Sequence, residues 1–444
     1  MMWRFAFRTL RARSSAYIAS ACVISTGTAL LTAFAALAET GLTAPDGSAN
    51  SMAILAAIMG GWTVAVVAFG IASTVTLVIQ QRRRELALLR SIGAVPHQVR
   101  AMVLVETLMV AGPAVIAGLA PGVGLGAFLL GRMRAVGVVH GPIQLVTGWW
   151  TVGAGVAVSL LAAIVAALVA GRRAAKVAPV LALADAAGAE EGTVSQAKPM
   201  IGAAFLLLGL GSGVGTLFMT DGPLLAAVAG PACIGVAIGA ALLSPAVVST
   251  VGRVGALARS SVVRLALRNV DARAAVASTV VGPLALLVGI ATGTLYMQST
   301  EDSIIDRAPD DIGPQFAAAN YLVVGMIIAF CTIAVINASI AATWNRRREF
   351  GLLQMISSTR RQVLGMVAVE SIAATGIAVV LGTIAAAATA VPYSIVKTGS
   401  PIPSGQWWMY PATVVGAFVI SLAATSSTCV RATRMRPVVA LTTP

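Results

Sequence analysis

The stretch "RRRELALLRSIGAVPHQVRAMVLVE" runs from Arg82 to Glu106, and "RRREFGLLQMISSTRRQVLGMVAVE" runs from Arg346 to Glu370. The two lie 264 residues apart and agree at 13 of 25 positions, including Arg-Arg-Arg-Glu, Leu-Leu, Gln-Val and the final Glu. Several identical positions are polar, so shared hydrophobicity does not account for the match. The surroundings are quite different. Of 444 residues, 58% are hydrophobic and 10% charged, against about 25% charged in a soluble domain. The chain therefore repeats a charged passage inside an apolar protein.

Apolar runs of membrane-spanning length recur from end to end. In lipid the backbone must satisfy its own hydrogen bonds, and these runs lack the alternation of barrel strands, so the class is an all-α polytopic membrane protein. Ten spans are expected, near 15–38, 52–80, 101–131, 149–170, 200–219, 223–248, 275–298, 318–344, 363–396 and 407–430. The first, Ser15 to Ala38, ends like a signal peptide. It is too long for a signal core and reads as a retained helix. An even count puts both termini on one side. With that side cytoplasmic, 26 of the 30 basic residues fall inside, leaving Arg132, Arg134, Arg307 and Lys397 outside. The net charge of +14 is thus a topology signal rather than a sign of nucleic-acid binding.

The repeat extends well beyond the opening stretch. "WRFAFRTLRAR" at Trp3 aligns with "VRLALRNVDAR" at Val263, and each reads as an amphipathic interfacial helix, 2–13 and 262–273. Trp149 and Trp150 match Trp407 and Trp408 as outer-interface anchors. "RRAAKVAPVLAL" matches "VRATRMRPVVAL", aligning Pro179 with Pro437. Residues 1–185 and 261–444 are expected to be two parallel four-helix units, joined by a two-helix linker over 186–260. An even number of linker spans keeps both units in one orientation.

The chemistry is defined first by what is missing. The three lysines, Lys176, Lys198 and Lys397, do not follow glycine, so no phosphate-binding P-loop exists. No zinc-protease or nucleophile-elbow motif occurs. Cys22, Cys233, Cys331 and Cys429 lie in apolar runs without ligand spacing, and His97 and His140 are isolated. Catalytic, cofactor and metal residues are therefore expected to be none. The acidic stretch Glu301, Asp302, Asp306, Asp310 and Asp311 reads as a solvated loop, because its spacing fits no calcium loop. Glu106 and Glu370 are the only acids placed within a span. At matched positions, they read as structural groups pairing with the rows Arg82–Arg84 and Arg346–Arg348.

The local physics of the repeated stretch is legible. Span two is expected to continue as a helix past the membrane through Arg90, carrying Arg84 and Glu85. Gly93 stops it, and Pro96 suits the first turn of a new helix. In the second copy, after Arg348 and Glu349, Ser357-Ser358 breaks the helix and Thr359-x-x-Gln362 can form a capping box. Each unit thus has a helix, a break, and a short helix leading into the next span.

On these residues the chain resembles the FtsX-like (MacB-type) permeases of ABC transporters. The resemblance covers both four-span units and is most specific over "RRRELALLRSIGAVPHQV". It implies that the short helices, about 95–100 and 358–363, are coupling helices that dock in a separate ABC ATPase subunit, expected as a dimer that binds ATP and Mg. The residues implied are Arg84, Glu85, Gly93, Val95, Pro96, His97, Gln98 and Arg100, with Arg348, Glu349, Ser358, Thr359, Arg360, Arg361 and Gln362. It also implies a bacterial inner membrane, lipid contact, and no catalysis by this chain itself. The uncharged interior points to a hydrophobic or amphipathic substrate such as a peptide, lipid or drug. A mechanotransmitter that signals to a partner without moving cargo is the alternative. A secondary transporter is disfavoured by the lack of buried ionisable groups. The loops Glu39–Ser51 and Ser299–Ala317 are too short for the large extracytoplasmic domain of many relatives.

Overall fold

The computed structural model describes residues 14–44, 50–135, 143–176, 197–220, 223–255, 271–272, 274–305, 313–356 and 359–434. Twelve helices and short turns make up these residues, with no strand among them. In chain order they are α1 (Ser14–Thr43), α2 (Asn50–Gln81), α3 (Arg83–Ser91), α4 (Pro96–Ala135), α5 (Trp149–Lys176), α6 (Ala197–Thr216), α7 (Pro223–Gly255), α8 (Ala274–Ile305), α9 (Gly313–Trp344), α10 (Arg347–Met355), α11 (Arg360–Thr398) and α12 (Met409–Arg434). Ten are long and apolar enough to cross a membrane, and each overlaps one expected span. The other two, α3 and α10, have nine residues each and carry the repeated charges. The expected interfacial helices, 2–13 and 262–273, lie outside the described residues except for 271–272, as do Pro179 and Pro437.

The chain divides into two compact units. Unit one holds residues 1–193 and 304–330; unit two holds 194–303 and 331–444. Spans five and six, α6 and α7, therefore cluster with the second unit, and α9 contributes its first part to unit one and the rest to unit two.

In unit one, α1 is the central helix and packs on α2, α4 and α5. Small residues let the backbones meet, since lipid supplies no hydrophobic force between helices and close van der Waals contact must do that work. A Cβ on Gly122 of α4 would stand 2.7 Å from Thr32 Cβ and 2.8 Å from the Ala29 carbonyl. Gly118, one turn earlier, faces the Ser25 carbonyl and Thr28. The Thr28 hydroxyl donates to Ser159 Oγ at 2.8 Å, joining α1 to α5.

The same scheme recurs in unit two. Gly382 of α11, 264 residues after Gly118, faces the Ala285 carbonyl of α8, where a Cβ would stand 2.9 Å away. Thr292 of α8 meets Thr413 of α12 at 3.3 Å. At the far ends, Thr40 Oγ1 accepts the Val146 N–H at 2.9 Å in unit one, and Thr300 Oγ1 donates to the Ser404 carbonyl at 3.4 Å in unit two. Each bond ties the end of a unit's first span to the segment before its last. The sequence repeat is thus also a repeat of packing.

Candidate coupling site

The end of each unit opposite the tryptophans carries a bent helical joint, and its geometry begins at one arginine. The helix α2 stops at Gln81 and α3 starts at Arg83; between them Arg82 has φ −104° and ψ 7°. Its N–H donates to the Ile79 carbonyl at 3.1 Å, a tightened turn of the i→i−3 kind. Arg346 repeats this between α9 and α10, with φ −89°, ψ 5° and an N–H donated to Thr343 at 3.1 Å. The unbroken extension expected through Arg90 is therefore interrupted at the first arginine of each row. The physical reason is the side chain, which the break turns inward toward a glutamate 24 residues on.

In unit one, Arg82 Nη1 donates to Glu106 Oε2 and, at 3.2 Å, to the Tyr17 hydroxyl oxygen; its Nε donates to Glu85 at 3.2 Å. Arg82 and Glu106 are both buried. In unit two, Arg346 Nη1 and Nη2 both reach the Glu370 carboxylate, the second at 3.3 Å. Arg346 also grips Glu349 through Nε at 3.0 Å and Nη2 at 3.2 Å, and lies over the Phe350 ring at 5.4 Å. Burial works against the charge of each arginine. For Arg82 it is outweighed by Tyr17, Glu106 and Glu85, and for Arg346 by Glu349 and Glu370; both guanidinium pKa values lie above the usual range. Both guanidinium groups therefore stay charged, and the locks use the two glutamates singled out in the sequence.

The locks also differ at the second glutamate, Glu106 or Glu370. Both Glu370 oxygens are engaged, whereas Glu106 Oε1 is buried with no hydrogen-bond partner among the described residues.

Beyond each lock the chain turns. In unit one, Gly93 has φ +104°, a conformation that a side chain resists. The Gly93 N–H donates to the Arg90 carbonyl and the Ala94 N–H to the Leu89 carbonyl, at 3.1 and 3.0 Å. That double bond pattern is a Schellman stop. Pro96 then opens α4, and Gln98 Oε1 accepts the Val95 N–H at 3.1 Å. In unit two, Thr359 and Gln362 form the full capping box, each side chain bonded to the other's backbone N–H. Val95 and Thr359 are equivalent positions, so the first copy has half of the box, and its Gln98 N–H donates to the Val95 carbonyl at 3.0 Å.

The expected short helices leading into the next spans, about 95–100 and 358–363, fall at the starts of α4 and α11, helices of 40 and 39 residues. Nothing in either sequence interrupts helix between the cap and the span. Each cap is therefore continuous in helix with a span.

The remaining expected site residues are distributed as follows. His97 and Arg361 are exposed on the first turns, and Arg100 is half-buried. Arg360 donates from Nε to the Thr433 carbonyl at 3.0 Å, closing the end of α12; Gln354 reaches the same carbonyl at 3.5 Å. Arg348 is half-buried. Ser358 and the Arg84 side chain lie outside the described residues. The sequence reading missed four residues. Leu88 and Ile92, and their equivalents Leu352 and Ile356, are exposed, Ile92 at 84% and Ile356 at 77%. Their signal was present: identical apolar residues four apart in a polar repeat. A cluster of Phe350, Val363, Val367, Cys429 and Ala432 backs the second joint.

At the far ends, Trp149 stacks on Trp150 with centroids 4.0 Å apart, and Trp407 and Trp408 are exposed, with Trp408 Nε1 donating to Gln406. Of the acidic stretch read as a solvated loop, Glu301 accepts from the Tyr393 hydroxyl and pairs with Lys397 at 2.8 Å, fastening α8 to α11. Asp302 accepts from Gln298, and Asp306, Asp310 and Asp311 lie outside the described residues. Among the described residues no group of three potential metal ligands occurs.

Two copies of a bent joint, each locked by an ion pair, buried in the first and part-buried in the second, and each leading into a span, define a polytopic membrane component built by duplication. The FtsX-like permease C-terminal family matches the chain twice, over residues 57–179 and 321–437, together just over half of its length. The chain belongs to the FtsX-like permease family, whose members are membrane components of ABC transporters rather than catalysts and normally pair with an ABC ATPase. Each match takes in one complete joint. Comparison with curated proteins finds no match.

Proposed function

We propose that this chain is the permease of an ABC exporter, and that its two joints are the docking points for a separate ATPase dimer that binds ATP and Mg. The observation that carries this reading is the matched pair of exposed apolar side chains on each joint, Leu88 with Ile92 and Leu352 with Ile356. The second pair is followed by the exposed Arg360 and Arg361, the first flanks the half-buried Arg90 and is followed by the half-buried Arg100, and each joint carries its lock. Exposed apolar groups on a charged, helix-capped turn suit a protein cleft better than water. Closure of the ATPase dimer would tilt α3 and α10, and the continuous helices α4 and α11 would convey that motion through the membrane. This places the joints and both termini in the cytoplasm of a bacterial inner membrane, in accord with the basic residues gathered there.

The substrate in this reading is hydrophobic or amphipathic, such as a peptide, lipid or drug, because the spans bury few charged groups apart from the locks. The direct experiment is affinity purification of the tagged full chain, with ATP hydrolysis assayed in the eluate. An ABC ATPase should co-purify, and the double change Ile92→Asp and Ile356→Asp should release it without altering the yield of folded chain. Retention of the ATPase by that variant would refute the docking assignment.

A further inference from the structure

The two linker spans have no counterpart in the repeat, and α7 carries a proline in its first half. Pro231 lies inside α7 and has no N–H to give. A proline in a helix disturbs the carbonyls of the preceding turn, and those groups need other donors when buried in lipid. Here the donors come from two neighbouring helices. Ser212 of α6 donates to the Val228 carbonyl. Thr389 of α11 donates to the Ala229 carbonyl at 2.8 Å and accepts the Cys233 N–H at 2.7 Å. Residues 229 and 233 are the two that an unbroken helix joins directly, so the threonine hydroxyl is spliced into the helical ladder. Thr389 and Cys233 are buried. Close approach makes the splice possible. A Cβ on Gly235 of α7 would stand 2.8 Å from Gly209 Cα of α6, and Gly213 of α6 faces the Ala388 carbonyl of α11.

We propose that Thr389 is a positioning residue that pins the α6–α7 hairpin to α11, so that the hairpin and span nine move as one body. A hydroxyl exchanged between two backbone groups of another helix fixes both rotation and axial register, which apolar packing in lipid does weakly. The equivalent position in the first unit is Leu125, which can make no such bond. The pin therefore makes span nine a three-helix shaft while span three remains a single helix. This assigns the linker spans a role: they stiffen the helix that starts at the second joint.

The test uses the full chain in lipid nanodiscs, with Cys22→Ser to remove the exposed thiol and spin labels at Leu207 of α6 and Val380 of α11, both exposed. The expected result is a single narrow distance distribution. Thr389→Val keeps the shape and removes the hydroxyl; it should lose that narrow peak, and Thr389→Ser should restore it. An unchanged peak in Thr389→Val overturns the pin. A second arm rests on the proposed function and adds ATP with vanadate to the complex with its ATPase. The Leu207–Val380 distance should stay fixed while a Val380–Trp150 distance changes. A changed Leu207–Val380 distance refutes the one-body claim. If neither distance changes, the transport reading fails and the pin is judged by the first arm alone.

Discussion

The two joints have the same plan and are built from different local chemistry. The first is closed by its own backbone: Gly93 with φ +104°, a Schellman stop, and a proline at the start of α4. The second is closed by side chains: the Thr359–Gln362 capping box, and Arg360 and Gln354 bound to the end of α12. Behind the first, Arg82 engages one oxygen each of Glu106 and Glu85, and Tyr17; behind the second, Arg346 reaches both Glu370 oxygens and both of Glu349. One duplicated fold thus holds one joint by chain conformation and the other by tertiary bonds. A bend made by local backbone survives movement of its neighbours, whereas a bend tied to α12 moves with it.

The strongest way to break this comparison is to remove one lock partner. Glu106→Ala leaves a buried guanidinium without its main counter-charge and should cost about 3–5 kcal/mol. Glu370→Ala should cost less, because Arg346 keeps two bonds to Glu349 and is less buried. Denaturant titration of the purified chains in detergent would measure both; equal losses would mean that the locks are equivalent. Next, Gly93→Ala forces a side chain into a left-handed turn at about 1–2 kcal/mol. It should loosen the first joint only, as read by proteolysis near Ile92 against Ile356. Thr359→Ala removes half of the capping box and should cost about 1 kcal/mol in the same titration. The smallest effect comes from transplanting that cap. Val95→Thr supplies the missing hydroxyl opposite Gln98 and should stabilise the first joint by less than about 1 kcal/mol; a loss would show that the Gln98 N–H bond to the Val95 carbonyl already satisfies the turn.

Much of this was legible in the sequence. Hydropathy is a direct consequence of the lipid solvent, so all ten spans could be read from it. Gly93, Pro96 and Thr359-x-x-Gln362 act within a few residues of themselves, and each took the role its chemistry predicts. The breaks at Arg82 and Arg346 were not legible. They depend on a glutamate 24 residues away, and a row of three arginines does not say which one turns inward. The short helix after each break was expected from Gly93, Pro96 and Thr359-x-x-Gln362, and each continues into a span because the residues after the cap contain no helix breaker. Thr389 was invisible for a similar reason: a threonine in an apolar run acquires meaning only beside Pro231 on another helix.

The most direct test of the account is photocrosslinking from Ile92 and from Ile356 in the full chain in its native membrane. A benzophenone side chain at either position should capture the same ATP-hydrolysing protein, while one at Leu207 should capture none of it. Failure at both joints, or equal capture from Leu207, would contradict the assignment of the joints as the place where the ATPase docks.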